Sequence, residues 1–150
     1  MDNYYDSGIF IKKIFAELKA KRERELLHRR YAGACYDILK NYRAIPIVAV
    51  DLTDGVISKV LVAFVQNGKY CEAILSKSDL ISVIENNEDY PFCSPNLMGY
   101  PTPISVIEKK YVRTDQNNTK IDNLGYLLSI AEWKASNARK YLLKLFATLK

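Results

Sequence analysis

Histidine is almost missing from this chain, with His28 the single one among 150 residues. A dyad, triad or zinc site built on imidazole therefore has one candidate at most. His28 stands beside Arg29 and Arg30 in a basic stretch, a poor setting for a metal ligand or for activating a thiol. Cysteine is scarce as well. Cys35, Cys71 and Cys93 are odd in number, far apart and without a CxxC pair, which excludes a disulfide framework and a zinc cluster on spacing. We read them as reduced thiols in a cytoplasmic protein. Neither GxxxxGK[ST] nor GxGxxG occurs, so the phosphate-cradling loops of nucleotide-binding folds are lacking. No apolar run nears the roughly 20 residues of a membrane span. The opening MDNYYDSGIFIKKIF has acids where a signal peptide has its cationic head. The expectation is a protein with no membrane, metal or other cofactor, and no catalytic residues.

What is present suffices for a folded core: 49% of the residues are apolar and eleven are tyrosines, which suit half-buried surfaces and interfaces. The net charge of +5 is unevenly spread. Residues 1–45 carry +4, residues 46–110 carry −3 and residues 111–150 carry +4. Two basic ends flank an acidic middle: the ends could repel each other, together face an anionic partner, or one could neutralise the middle.

Along the chain, residues 8–43 have helical period. Ile11, Ile14, Phe15 and Leu18 recur at three- and four-residue steps, and the row resumes at Leu27, Tyr31, Ala34, Ile38 and Tyr42. Ser7 is a plausible N-cap, and Gly33 leaves open one helix or two. Between the rows lies KAKRERELLHRR, where Glu17–Lys21, Lys21–Glu25 and Glu25–Arg29 have ion-pair spacing. Proline 46 then ends the helical pattern. IPIVAVDL, VISKVLVAFV and KYCEAIL read as strands, separated by Asp54-Gly55 and Asn67-Gly68. Asn-Gly and Asp-Gly favour turns whose central residues have positive φ, so 46–75 reads as an antiparallel meander. Ser76 opens a short helix with Asp79 three residues on. A proline-rich crossing follows over 86–103, then PISVIEKKYV as a fourth strand. Asp122 or Asn123 is expected to cap one last helix, with Ile130, Trp133, Ala138, Tyr141, Leu142, Leu145 and Leu149 inward and Lys134, Arg139, Lys140, Lys144 and Lys150 outward.

The segments IVAVDLTDGVISKV, QNG, SKSDLISVI and MGYPTPISVIEKKYVRTDQNNTKIDNLGYL resemble a family of short bacterial and phage-associated domains of unknown function. Its order is strand, hairpin, strand, helix, strand, with an Arg-Thr…Asp-Asn-Leu ending. The resemblance covers roughly residues 47–128. It departs after Leu127, where Leu128 stands in place of the family's proline. It implies a fold and no activity.

The fold expected is α+β: a small antiparallel sheet of about four strands with one short helix, flanked by long N- and C-terminal helices. It is one domain over 1–150, with a basic helical extension (1–45), an α+β core (46–128) and a C-terminal helix (129–150). The helices are expected to pack on each other or on a second copy, as a homodimer. The expected function is non-enzymatic binding of nucleic acid or a nucleoprotein, in a protein of phage or mobile-element origin. Lys12, Lys13, Lys19, Lys21, Arg22, Arg24, Arg29 and Arg30 would meet phosphates. Arg113, Asn117, Asn118 and Lys120 would either present donors to the partner or serve the loop's own turns, with Arg113 holding Asp115 or Asp122. Two other classes are open. One is an inhibitor of a host defence nuclease, of the anti-CRISPR kind, acting on a host protein through the acidic middle or the tyrosines. The other is a metal-dependent nuclease using Asp51, Asp54 and Glu72, of which Asp51 and Glu72 fit exposed strand positions.

Overall fold

The computed structural model describes residues 7–41, 44–86, 92–95, 102–114 and 127–147. Helix α1 (Ser7–Asn41) is continuous through Gly33 and is followed by strands β1 (Ile45–Thr53), β2 (Val56–Gln66) and β3 (Lys69–Ser76). Helix α2 (Lys77–Asn86) precedes β4 (Phe92–Ser94), β5 (Thr102–Pro103), β6 (Ser105–Ile107) and β7 (Tyr111–Arg113). Helices α3 (Ile130–Ala135) and α4 (Asn137–Ala147) close the described chain. The class is α+β, as expected.

The meander forms in the expected order. Asp54 and Asn67 adopt φ of 54° and 53°, and Gly55 and Gly68 follow at 78° and 75°, so both hairpins take the turn their dipeptides favour. Ser76 Oγ accepts the Asp79 backbone N–H at 3.2 Å and caps α2. The sheet itself is larger than expected and mixed. Its order is β3-β2-β1-β4-β5, with β4 beside β1 in parallel, Ile45 opposite Phe92 and Pro46 opposite Cys93. The crossing read as irregular thus supplies two short strands. PISVIEKKYV is not one strand but the hairpin β6–β7, a separate two-stranded sheet. It turns at Glu108 and Lys109, whose φ values are 55° and 57°. Non-glycine residues pay about 1 kcal/mol or more each for that conformation. Burial of Val112 and Ile104 is the gain that offsets it.

Both faces of the sheet are covered. On one side, Ile47, Val60, Val62, Leu80, Phe92, Ile104 and Val112 form a core under α2 and the β6–β7 hairpin. On the other, Val48, Ala49, Leu61 and Ala63 meet Ala32 and Cys35 of α1, Ile130 and Trp133 of α3, and Ala138 and Leu142 of α4. This explains the unbroken apolar runs in β1 and β2, since a strand buried on both faces has no polar side. The β1–β2 register shifts between Ile47 and Ala49. The bulge lets Val48 and Ala49 both join the α1 side, and Tyr31 Oη donates to the Val48 carbonyl at 3.0 Å.

The last helical stretch is two helices, not one. Ser129, not Asp122 or Asn123, is the N-cap: its side chain accepts from Glu132 N while Glu132 reaches back to Ser129 N. Residues 122 and 123 lie outside the described residues. Ser136 breaks the helix with extended backbone, donating its hydroxyl to Trp133 O at 2.6 Å and accepting from Arg139 N at 3.1 Å. It ends α3 and begins α4, because a serine hydroxyl competes with the helical ladder for backbone partners.

This break aims Arg139 inward rather than outward. Its guanidinium meets Glu72 of β3, with Nε 3.1 Å from both carboxylate oxygens and a terminal nitrogen 2.9 Å from Oε1. Trp133 Nε1 donates to the same carboxylate at 2.8 Å and Tyr70 Oη at 2.7 Å. Glu72 is 14% exposed by side chain, not an exposed strand residue. A second stitch joins α3 to β1: Val50 N donates to Leu128 O at 2.9 Å, and Ile130 N donates to Asp51 Oδ1 at 3.0 Å.

Burial of Glu72 pushes its carboxyl up, but donors from Arg139, Trp133 and Tyr70 and the Arg139 charge outweigh that and hold it below the usual value of 4.5. The stability this contributes is complete above that ordinary value. It is lost as pH falls through the depressed folded value. Glu72→Gln is expected to destabilise the fold by about 2–3 kcal/mol at pH 7, because it weakens charge-assisted bonds and mismatches one oxygen. Urea unfolding would measure this, and the gap between Glu72→Gln and wild type should narrow as pH is lowered below 4.

Candidate functional site

Helix α1 has 35 residues and so runs about 50 Å. Its C-terminal half buries Ala32, Cys35 and Ile38, whereas residues 8–19 are all exposed. The basic residues proposed from sequence lie mainly on the exposed part. Lys12, Lys13, Lys19, Lys21, Arg22, Arg24, Arg29 and Arg30 are all exposed. With 3.6 residues per turn they do not form one stripe. Lys12, Lys19 and Arg30 share one row, Lys13 and Arg24 a second, and Arg22 and Arg29 a third. The positive field therefore surrounds the helix. Arg29 is already engaged, its guanidinium 5.0 Å from the centre of the Tyr141 ring on α4. A hydrogen bond and charge interaction with Tyr141 raise its pKa further.

Between these basic rows runs an apolar one. Phe10, Ile11, Ile14, Phe15 and Leu18 are 51%, 48%, 40%, 64% and 45% exposed. The periodicity was legible in the sequence, where it suggested packing. The fold leaves this row outside the packed body, while the row lower on the same helix enters the core.

A cleft of about 750 Å³ opens where α1 meets the start of α4. Arg24, Leu27, His28 and Tyr31 line one wall, and Glu132, Ser136 and Asn137 the other. Sequence reasoning placed His28 on a solvated helix and missed this setting, because a cleft between distant segments leaves no local pattern. Ser129 hydrogen bonds hold the Glu132 carboxyl below its usual range.

The loop candidates separate. Arg113 ends β7 and is 3% exposed, so its side chain does not present donors at the surface. Asp115 and Asp122, which the sequence offers as its partners within the loop, lie outside the described residues. Asn117, Asn118 and Lys120 lie outside the described residues.

The residues considered for chemistry are placed as follows. Burial pushes the Cys93 thiol up to about 12 and the Cys35 thiol higher still, so neither is an available thiolate near neutral pH. Cys71 is partly exposed, its Sγ 3.6 Å from Lys69 O. Both oxygens of Glu72 are occupied, and Asp51 holds the α3 N-terminus. Among the described residues no three His, Cys, Asp or Glu side chains are grouped to hold a metal ion. Among them, too, no helix is long and apolar enough to cross a membrane. The Glu72–Arg139 pair, which sequence reasoning missed, spans 67 residues and carries no spacing signal. The Ser129–Glu132 capping box was visible as Ser-x-x-Glu.

No family model, curated protein or solved structure matches this chain.

Arg113→Ala is expected to cost about 3 kcal/mol, since it removes a buried charged side chain and strands its partners. Lys21→Ala should stay within about 0.5 kcal/mol of wild type. Thermal or urea unfolding of the two variants checks the contrast.

Proposed function

We propose that this is a non-enzymatic, cytoplasmic binding protein whose α1 helix contacts nucleic acid or a nucleoprotein. The observation that carries the reading is the placement of α1: six of its basic side chains, from Lys12 to Arg24, stand exposed on the part of the helix furthest from its buried segment. A cationic helix that buries none of residues 8–19 can lie along a phosphate backbone or in a groove without displacing core contacts. Because the charges surround the helix, with Glu17 and Glu23 among them, the affinity would be electrostatic and weakly sequence-dependent. The resemblance to phage-associated domains supports a mobile-element origin within the same proposal.

The protein-directed alternative, inhibition of a host defence nuclease, draws on one observation: exposed phenylalanines and isoleucines beside the basic rows are anchors that a protein surface can use. It predicts binding that survives nuclease treatment and changes little with salt.

The test is fluorescence anisotropy with labelled duplex DNA, single-stranded DNA and RNA across a salt series. Affinity should fall steeply with salt. Lys21→Ala/Arg22→Ala should flatten the slope of log K against log salt by about one to two units. Absence of binding at low salt to every one of these probes would remove the nucleic-acid reading.

A further inference from the structure

We infer that the cleft between α1 and the α3–α4 break is a nucleotide site. It takes one nucleotide of a single strand, with the phosphate on Arg24 and His28 and the base between Leu27 and Ala135, and it favours a base that carries an exocyclic amino group. The inference deepens the nucleic-acid reading, on which it rests for the strand that carries the nucleotide.

Arg24 and His28 both line the cleft, one above the other on successive turns of α1. Neither has a hydrogen-bond or ion-pair partner among the described residues. Arg24 supplies a fixed charge and a fork of N–H donors, and an imidazole donates one N–H even when neutral. Two such donors suit an anion with several acceptor oxygens, as a phosphate has. Arg24 also continues the row of Lys13 along the exposed basic part of α1. A chain of phosphates can therefore run from the cleft onto the helix.

The volume of about 750 Å³ falls within the roughly 300–1,000 Å³ of small-molecule sites. Leu27, on the α1 wall, is 50% exposed. Leu128 and Ala135 add apolar surface from the other elements. Surface of this kind can cover the flat face of a base, which every nucleotide has.

The far wall narrows the choice of ligand. Glu132 lines the cleft from α3. Its Oε1 accepts the Ser129 N–H at 3.0 Å, and Oε2 has no partner among the described residues. An acyl chain reaching this wall would desolvate the carboxylate and give it nothing in return. A base with an amino group donates to it instead, as cytosine does through N4, whereas uracil and thymine present only a carbonyl oxygen there. The lining thus calls for an anion at one end, a flat apolar middle and an N–H donor at the other end. A nucleotide with an amino-bearing base has all three.

Calorimetric titration of the full chain with CMP, UMP and decanoate tests the cleft apart from the rest of the helix. CMP should bind, and UMP roughly tenfold more weakly, the discrimination expected of one base-edge contact. Decanoate, an apolar chain with an anionic head, should bind more weakly than CMP. Ala135→Trp fills the cleft from an exposed position and should abolish CMP binding with an unchanged urea midpoint. Glu132→Gln keeps the capping box and should remove the preference for CMP over UMP. No CMP binding, equal binding of CMP and UMP, tighter binding of decanoate, or a CMP preference that survives Glu132→Gln would each overturn the inference. A labelled oligo(dC) strand and its abasic counterpart then separate the two readings. Equal, salt-dependent binding of both strands removes the cleft and keeps the basic helix. CMP binding without binding of either strand keeps the cleft as a nucleotide site and removes the helix reading.

Discussion

Glu72 stands on the edge strand of the sheet, and its carboxylate receives donors from Trp133 of α3, Arg139 of α4 and Tyr70 beside it on β3. A half-buried carboxylate is costly unless its lone pairs are filled, and here they are. The arrangement also fixes geometry. Trp133 is fully buried and meets Tyr31 of α1 edge-on at 5.8 Å, so the clamp sets the height of α3 above the sheet and, through Tyr31, the line of α1. Tyr31 in turn donates to the bulged Val48 carbonyl. One carboxylate thus coordinates sheet, bulge and three helices. Ser136 is its precondition, because an unbroken C-terminal helix would not bring Arg139 and Trp133 to the same oxygens.

Helix α1 inherits its dual character from this docking. The face used below Tyr31 is centred on Ala32, Cys35 and Ile38. The apolar row above is displaced by roughly 100° around the axis, as 3.6 residues per turn dictates for those positions. A single rigid helix cannot turn both faces to the same sheet. Packing the lower one therefore leaves the upper one off the sheet and partly exposed, between lysine and arginine. The exposed row follows from the docking of the helix and needs no local irregularity, since α1 runs unbroken through Gly33.

The meander was readable because its signals are local. Asn67-Gly68 and Asp54-Gly55 set positive φ where the turns need it, and Ser76 with Asp79 marks the start of α2. The β6–β7 hairpin was not readable, since Glu108 and Lys109 are ordinary strand-flanking residues forced into the turn by burial on either side. Strands β4 and β5 escaped for a related reason: three and two residues are too short for periodicity, and β4 is defined by pairing with β1 across 47 positions. Of the candidate site, the basic residues were legible as composition. The burial of Arg113 was not, because a strand-terminal arginine looks the same in sequence whether it points in or out.

The sequence by itself determined the helical periods, the two glycine turns, the cap at Ser76, the α+β class and the excess of positive charge on the first helix. Each depends on residues within a turn or two of one another, where steric and hydrogen-bonding preferences act directly. Tertiary structure alone decided which apolar row of α1 is buried, which carboxylate is a clamp and that His28 borders a cleft. Those outcomes depend on how distant segments dock, and docking answers to the total burial of both sheet faces rather than to any local pattern.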